Sequence, residues 1–157
     1  MRKTESGKLK AEIEQPGDSE NYIVSASLSA ARLFHCEMRT SDELRNRTKQ
    51  YASSIIRLYV KLPKGRDEVR VIGHQLLRSG TSVAANFREA SRARSVAEFI
   101  SKVETCAQEA DESDLWLELL RDDCDIKSTD LVTLLAETNE LISIFVTMAT
   151  RSKSKVS

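Results

Sequence analysis

Two apolar stripes at helical spacing, meeting across a short polar connector, constrain this chain more than any other feature. In the first, Val69, Ile72, Leu76, Ser79, Val83 and Phe87 recur at alternating intervals of three and four, the seam pattern of a helical bundle. In the second, Phe99, Val103, Cys106, Ala110, Leu117 and Leu120 repeat it, with Trp116 as the single large anchor. Between them the run ASRAR at residues 90–94 carries the connector, and Ser95 with Glu98 forms a capping box that opens a new helix. Neither stripe is stable in water alone, so both helices need further helices to cover them.

The flanking sequence supplies two. Leu44, Tyr51, Ile55, Leu58 and Leu62, widened by Ala52 and Tyr59, place a helix over residues 41–62. Thr40 with Glu43, or Ser41 alone, caps it, and Asp42 and Glu43 suit the positive end of the dipole. Pro63 ends it, because the residue before a proline avoids helical geometry. The second helix starts near Asp67 and Glu68 and contains Gly73 and Gly80. Each glycine weakens an exposed helix by about 1 kcal/mol relative to alanine, so close approach to a neighbouring helix is the expected compensation. Asp122, Asp123 and Asp125 oppose the dipole at the end of the third helix and mark a boundary. Ser128, Thr129 and Asp130 then open a fourth, in which Leu131, Leu134, Leu135, Thr138, Leu141, Ile142, Phe145 and Met148 keep helical spacing to about Thr150. The expected fold class is all-α: an antiparallel up-down-up-down four-helix bundle over residues 41–150.

Residues 151–157 form a polar, basic tail expected to fray. Residues 1–40 are unlike the rest, polar around Pro16 and Gly17 and only weakly periodic afterwards. A poorly ordered arm is expected there, with a short helix near residues 25–34. Met38 stands just before the first strong helix start, so Met1 and Met38 are alternative initiators; intact mass of the native protein decides between them.

A chain of 157 residues, 40% apolar and 31% charged, fits one globular domain. No run of about 18 apolar residues is present and no apolar segment follows the first basic residues, so neither a membrane span nor a secretory signal is expected. Three cysteines without CxxC spacing point to a reduced, cytoplasmic setting rather than a disulfide framework or zinc site.

Formal net charge is zero, but residues 41–94 hold 12 Lys and Arg against 5 Asp and Glu, whereas residues 95–126 hold 2 against 10. Two readings follow. The halves form complementary surfaces, within or between subunits. Alternatively the basic half offers a face to nucleic acid or a partner through Arg45, Arg47, Lys49, Arg57, Lys61, Lys64, Arg66, Arg70, Arg78, Arg88, Arg92 and Arg94. Only Tyr51, Tyr59 and Phe87 interleave with these cations, so a base-stacking platform is not indicated.

Chemistry-bearing patterns are few. His35 and His74 are the only histidines, and neither lies in a Ser, Cys or acid pattern that would orient a catalytic base. Glu109 and Glu112 share a helix face, but a di-metal bundle also needs Glu-x-x-His pairs, which are absent. Cys106 lies on an apolar stripe and reads as core. No phosphate loop or nucleophile elbow occurs, so no cofactor and no catalytic or metal-binding residue is expected. The polar residues read instead as an interhelical seam, in which Ser82, Asn86 and Glu89 (or Arg88) face Glu109 and Glu112 beside Trp116, and a buried Asn–Glu contact fixes register.

Arg78, Ser82, Ala85-Asn86, Arg88-Glu89-Ala90, Ser95, Phe99-Ile100, Lys102, Glu109-Ala110, Glu112 and Trp116-Leu117, with Pro63 after Tyr59, together resemble the four-helix bundle proteins encoded in intervening sequences of bacterial 23S ribosomal RNA genes, formerly labelled S23. The resemblance spans about residues 41–150, and family members typically begin near the position of Met38. It implies a bundle that assembles as a homopentamer, and it carries no catalytic residues. The chain is also similar to the accessory variability proteins of diversity-generating retroelements, basic pentamers that bind nucleic acid and a reverse transcriptase. Those relatives are strongly basic, whereas this chain is neutral with an acidic third helix. The expected function is therefore a non-enzymatic homo-oligomeric scaffold engaging RNA or a protein partner through its first two helices, the alternative being such a nucleic-acid-binding retroelement factor.

Overall fold

Pro63 and the turn at Lys64-Gly65 separate α1 (residues 42–61) from α2 (Asp67–Ala90), and two further turns deliver α3 (Val96–Asp122) and α4 (Thr129–Ser154). The structure is a computed structural model describing residues 42–154. The expected N-terminal arm, its short helix, His35, Cys36, the caps at Thr40 and Ser41, and residues 155–157 lie outside that span. All the secondary structure among the described residues is helical.

Local chemistry sets the helix ends. Ser95 Oγ accepts from the Glu98 amide at 3.1 Å, the first half of the capping box. The second half is displaced by one residue: the Glu98 carboxylate accepts from the Arg94 amide at 2.8 Å. Between α3 and α4, Asp125 adopts φ 51°, the left-handed region. There the amides of Asp123 and Cys124 both reach the Leu119 carbonyl at 3.0 Å and Ile126 reaches Leu120 at 2.9 Å, so carbonyls at the end of α3 are satisfied. The tail expected to fray continues α4 through Ser154 instead, because Lys153 reaches Glu104 on α3 at 2.6 Å and cations suit a helix C-terminus.

Neighbouring helices run antiparallel. Ile55 packs on Gly80 while Leu62 packs on Gly73, pairing α1 with α2. The Cys106 thiol lies 3.7 Å from the Val83 carbonyl, pairing α3 with α2, and Asn139 donates to Asp114 at 3.1 Å, pairing α4 with α3. Arg47 with Glu137 and Lys61 with Asp130 close the bundle between α1 and α4. α1 and α3 thus occupy opposite corners, as do α2 and α4, whose Phe87 and Phe145 rings meet with centroids 5.8 Å apart. This is the up-down-up-down order that short connections favour.

The apolar stripes supply the core: Ile55, Leu76, Val83, Leu117, Leu141 and Phe145 are buried, and Ile72, Phe99, Trp116, Ile142 and Met148 pack partly buried against them. Gly73 and Gly80 confirm the expected close approach. A Cβ on Gly80 would lie 2.8 Å from Ile55 Cγ1, and one on Gly73 would lie 2.9 Å from Leu62 Cδ1. α4 is long and apolar enough to cross a membrane by length and mean composition, although it holds no uninterrupted run of about 18 apolar residues. Its Leu131, Leu134, Leu141 and Phe145 are spent in the bundle core, and its Glu137 and Glu140 bind Arg47 on α1.

Candidate functional site

Four buried hydroxyls, one from each helix, form two pairs in the interior. Ser79 on α2 and Ser113 on α3 stand 2.9 Å apart, and Tyr51 on α1 meets Thr138 on α4 at 3.0 Å. All four are buried. Burial pushes the Tyr51 phenol up, while the Thr138 and Ser113 hydroxyls beside it pull against that shift. The two pairs, drawn from all four helices, make a layer of hydroxyls inside the bundle. Thr138 also donates to the Leu134 carbonyl at 2.6 Å and Ser113 lies 2.7 Å from the Glu109 carbonyl, so backbone acceptors complete the layer. A hydroxyl needs its partner at one height, and this layer therefore fixes register as a single buried polar residue does in a coiled coil.

The expected seam is drawn with different partners. Asn86 donates to the Ser82 carbonyl of its own helix at 3.0 Å instead of crossing to a glutamate, because a carbonyl four residues back requires no interhelical fit. Glu112 receives Arg78 at 2.5 Å, and Glu109 keeps a buried oxygen that has no hydrogen bond and lies 3.9 Å from the same guanidinium. Glu89 pairs with Lys102 across the α2–α3 edge, which raises the Lys102 pKa through that hydrogen bond. Trp116 packs on the core with its indole nitrogen buried and unpartnered. Thus α2 and α3 are joined by charge at the edge and by hydroxyls inside. Sequence reasoning placed Arg78 in the basic contact face rather than on Glu112, and it missed Ser113 altogether. Ser113 falls between Ala110 and Leu117 at the stripe's own spacing, the signal that could have found it.

Of the twelve cations expected to form a contact face, the bundle itself engages seven. Arg45 pairs with Asp42, Arg47 with Glu137 and Glu140, and Lys61 with Asp130. Arg66 pairs with Glu68, Arg70 with Asp67, Arg78 with Glu112, and Arg94 with Glu98. The Arg47 fork is bidentate on Glu137, at 2.7 and 2.8 Å, and these contacts raise its pKa. Lys49, Arg57, Lys64, Arg88 and Arg92 have no carboxylate in ion-pair reach among the described residues; Lys64 instead sits 4.6 Å over the Tyr59 ring.

The remaining candidates are structural. The His74 ring lies tilted against Tyr59 with centroids 5.4 Å apart, and the phenol is 3.3 Å from its Nε2. Burial pushes the Cys106 thiol up to about 12, well away from a nucleophilic thiolate. Among the described residues, no three His, Cys, Asp or Glu side chains are grouped to hold a metal ion.

The class defined by this geometry is an antiparallel four-helix bundle held in register by a hydroxyl layer. The chain belongs to the 23S rRNA-intervening sequence protein family, whose match covers residues 41–147. Among solved structures it is similar to a protein of unknown function from the S23 ribosomal protein family of Bacteroides thetaiotaomicron VPI-5482, at 31% identity and a TM-score of 0.64 over 70% of this chain and 97% of that one. No curated protein matches the chain.

Proposed function

We propose that the protein works by association rather than catalysis, as a homo-oligomeric scaffold, of pentameric order as the family resemblance implies, that engages RNA or a protein partner through α1 and α2. The observation that carries this reading is the division of the basic residues. Seven have a carboxylate partner, whereas Lys49, Arg57, Lys64, Arg88 and Arg92 have none among the described residues and can meet an outside anion. The alternative reading, an accessory factor of a retroelement reverse transcriptase, uses the same five cations and adds the enzyme as a partner.

Sedimentation mass and a salt series on RNA and DNA binding test the proposal together. Five phosphate contacts per protomer would give a log–log salt slope of about −3.5 on single strands and about −4.5 on duplex. A monomer at all concentrations removes the assembly. Absence of binding even at low salt removes the nucleic-acid partner.

A further inference from the structure

α4 carries a second stripe, on its outside. Val132, Ala136, Asn139, Ser143 and Val146 recur at alternating intervals of four and three, the spacing of the inward stripes. Yet all five are exposed, Val132 by 61% and Val146 by 52%. None is charged, and the acids of α4 beyond its first turn, Glu137 and Glu140, are both held by Arg47 on α1. Ala136 and Ser143 are small, and a shallow open hollow of about 410 Å³ runs along Asn139, Glu140, Ser143 and Ile144. One edge of this face is acidic. Of the ten acids in residues 95–126, six have a cation in ion-pair reach. Asp111, Asp114 and Glu118 have none among the described residues, and their spacing of three and four puts them on one face of α3. Asp114 turns that face toward α4, where Asn139 donates to it at 3.1 Å. Its carboxyl is raised by burial first, then by repulsion from Glu118, with Asp111 adding to it. Antiparallel packing sets the heights: with Asp114 level with Asn139, Glu118 stands near Ala136 and Asp111 near Ser143, about one turn to either side.

A stripe of this period is what another helix packs into, and small residues at its middle let that helix approach closely. Three unpaired carboxylates along one edge select a helix that brings cations there. We infer that the outer face of α4, edged by α3, docks an amphipathic helix of a different protein. Its aliphatic residues, at spacings of three and four, cover Val132, Ala136 and Val146, and its Lys or Arg side chains meet Asp111, Asp114 and Glu118. A second copy is a poor match, since seven of the twelve cations in residues 41–94 already have carboxylate partners. The surface uses none of the cations of α1 and α2, so it stands or falls separately from their engagement of RNA.

The test uses the full chain and a fluorescently labelled synthetic helix of about 18 residues, long enough to span the stripe at 1.5 Å per residue. The probe has leucine at spacings of three and four with lysine beside it, and binding is read by anisotropy. Two control peptides replace its lysines by glutamate or its leucines by glutamine. The Leu/Lys helix should bind, and both controls should bind at least about tenfold more weakly. Glu118→Lys reverses a charge at the edge and Ser143→Tyr fills the hollow, and each should weaken the Leu/Lys helix by about tenfold. Asp123→Lys, at an unpaired acid beyond the end of α3, should leave its affinity unchanged. Asp111→Lys and Ala136→Tyr stand in for either variant that melts early. Failure of the Leu/Lys helix to bind, equal binding by the Gln/Lys control, or wild-type affinity in both variants overturns the inference. A fall in sedimentation mass in Ser143→Tyr or Glu118→Lys also overturns it, by giving the stripe to a second copy.

Discussion

Replacing Gly80 with alanine probes the closest approach in the bundle. The added Cβ would lie 2.8 Å from Ile55 Cγ1, 3.0 Å from Cγ2 and 3.3 Å from Cβ. Rotating χ1 of Ile55 gives no relief, since a β-branched side chain fills two of its three staggered positions with carbon. The helices must part, at about 1–3 kcal/mol for overpacking. Removing a glycine from a helix interior returns about 1 kcal/mol. Gly80→Ala should thus lower stability by about 0–2 kcal/mol, a range too close to zero to be decisive alone.

The neighbour makes it decisive. Ile55→Ala, itself worth about 2–5 kcal/mol of lost stability, deletes both γ carbons. In that background Gly80→Ala should become stabilising by about 1 kcal/mol, a coupling of about 1–3 kcal/mol. Ile55→Val keeps two γ carbons and should leave the penalty in place. The measurement is urea denaturation followed by far-UV circular dichroism on the four variants of the cycle and the valine control. Equal effects of Gly80→Ala in the wild-type and Ile55→Ala backgrounds, within about 0.5 kcal/mol, would refute the steric argument.

Other residues give independent tests. Tyr51→Phe should lower stability by about 1 kcal/mol, since it removes the bond to Thr138 while leaving Thr138 its backbone acceptor; an unchanged denaturation midpoint would remove the hydroxyl layer as a stabiliser. Asp125→Gly should raise stability by about 0.5–1 kcal/mol by relieving a left-handed φ, and Asp125→Val should do the reverse, both read from thermal melts. The Cys106 thiol ionises ordinarily at 9.0 and in the bundle at about 12, so the unfolded chain loses that proton first as pH rises. Stability should accordingly be full below pH 9.0 and fall between there and about 12, by at most about 1.4 kcal/mol per pH unit, and Cys106→Ala should flatten that part of the curve. Native Cys106 should also resist a thiol reagent at neutral pH until the protein is unfolded.

The sequence by itself determined the four helices, their order and their inward faces. Those features are local: apolar spacing sets a face, Pro63 and Ser95 with Glu98 set ends, and short connections leave antiparallel neighbours as the simplest packing. Gly73 and Gly80 were readable too, because a glycine held inside a helix needs a close neighbour. The tertiary structure alone decided which polar groups meet. Asn86 could by spacing reach across to a glutamate or back to Ser82, and in the bundle it donates to the Ser82 carbonyl. The hydroxyl layer joins Tyr51 to Thr138 and Ser79 to Ser113, partners 87 and 34 residues apart, and Arg47 reaches Glu137 across 90. Spacing along one helix carries no information about height on another. The two apolar stripes of residues 69–87 and 99–120 therefore fixed how α2 and α3 face the core. Their packing, through Ser79, Ser113 and Arg78, decided how those helices are locked.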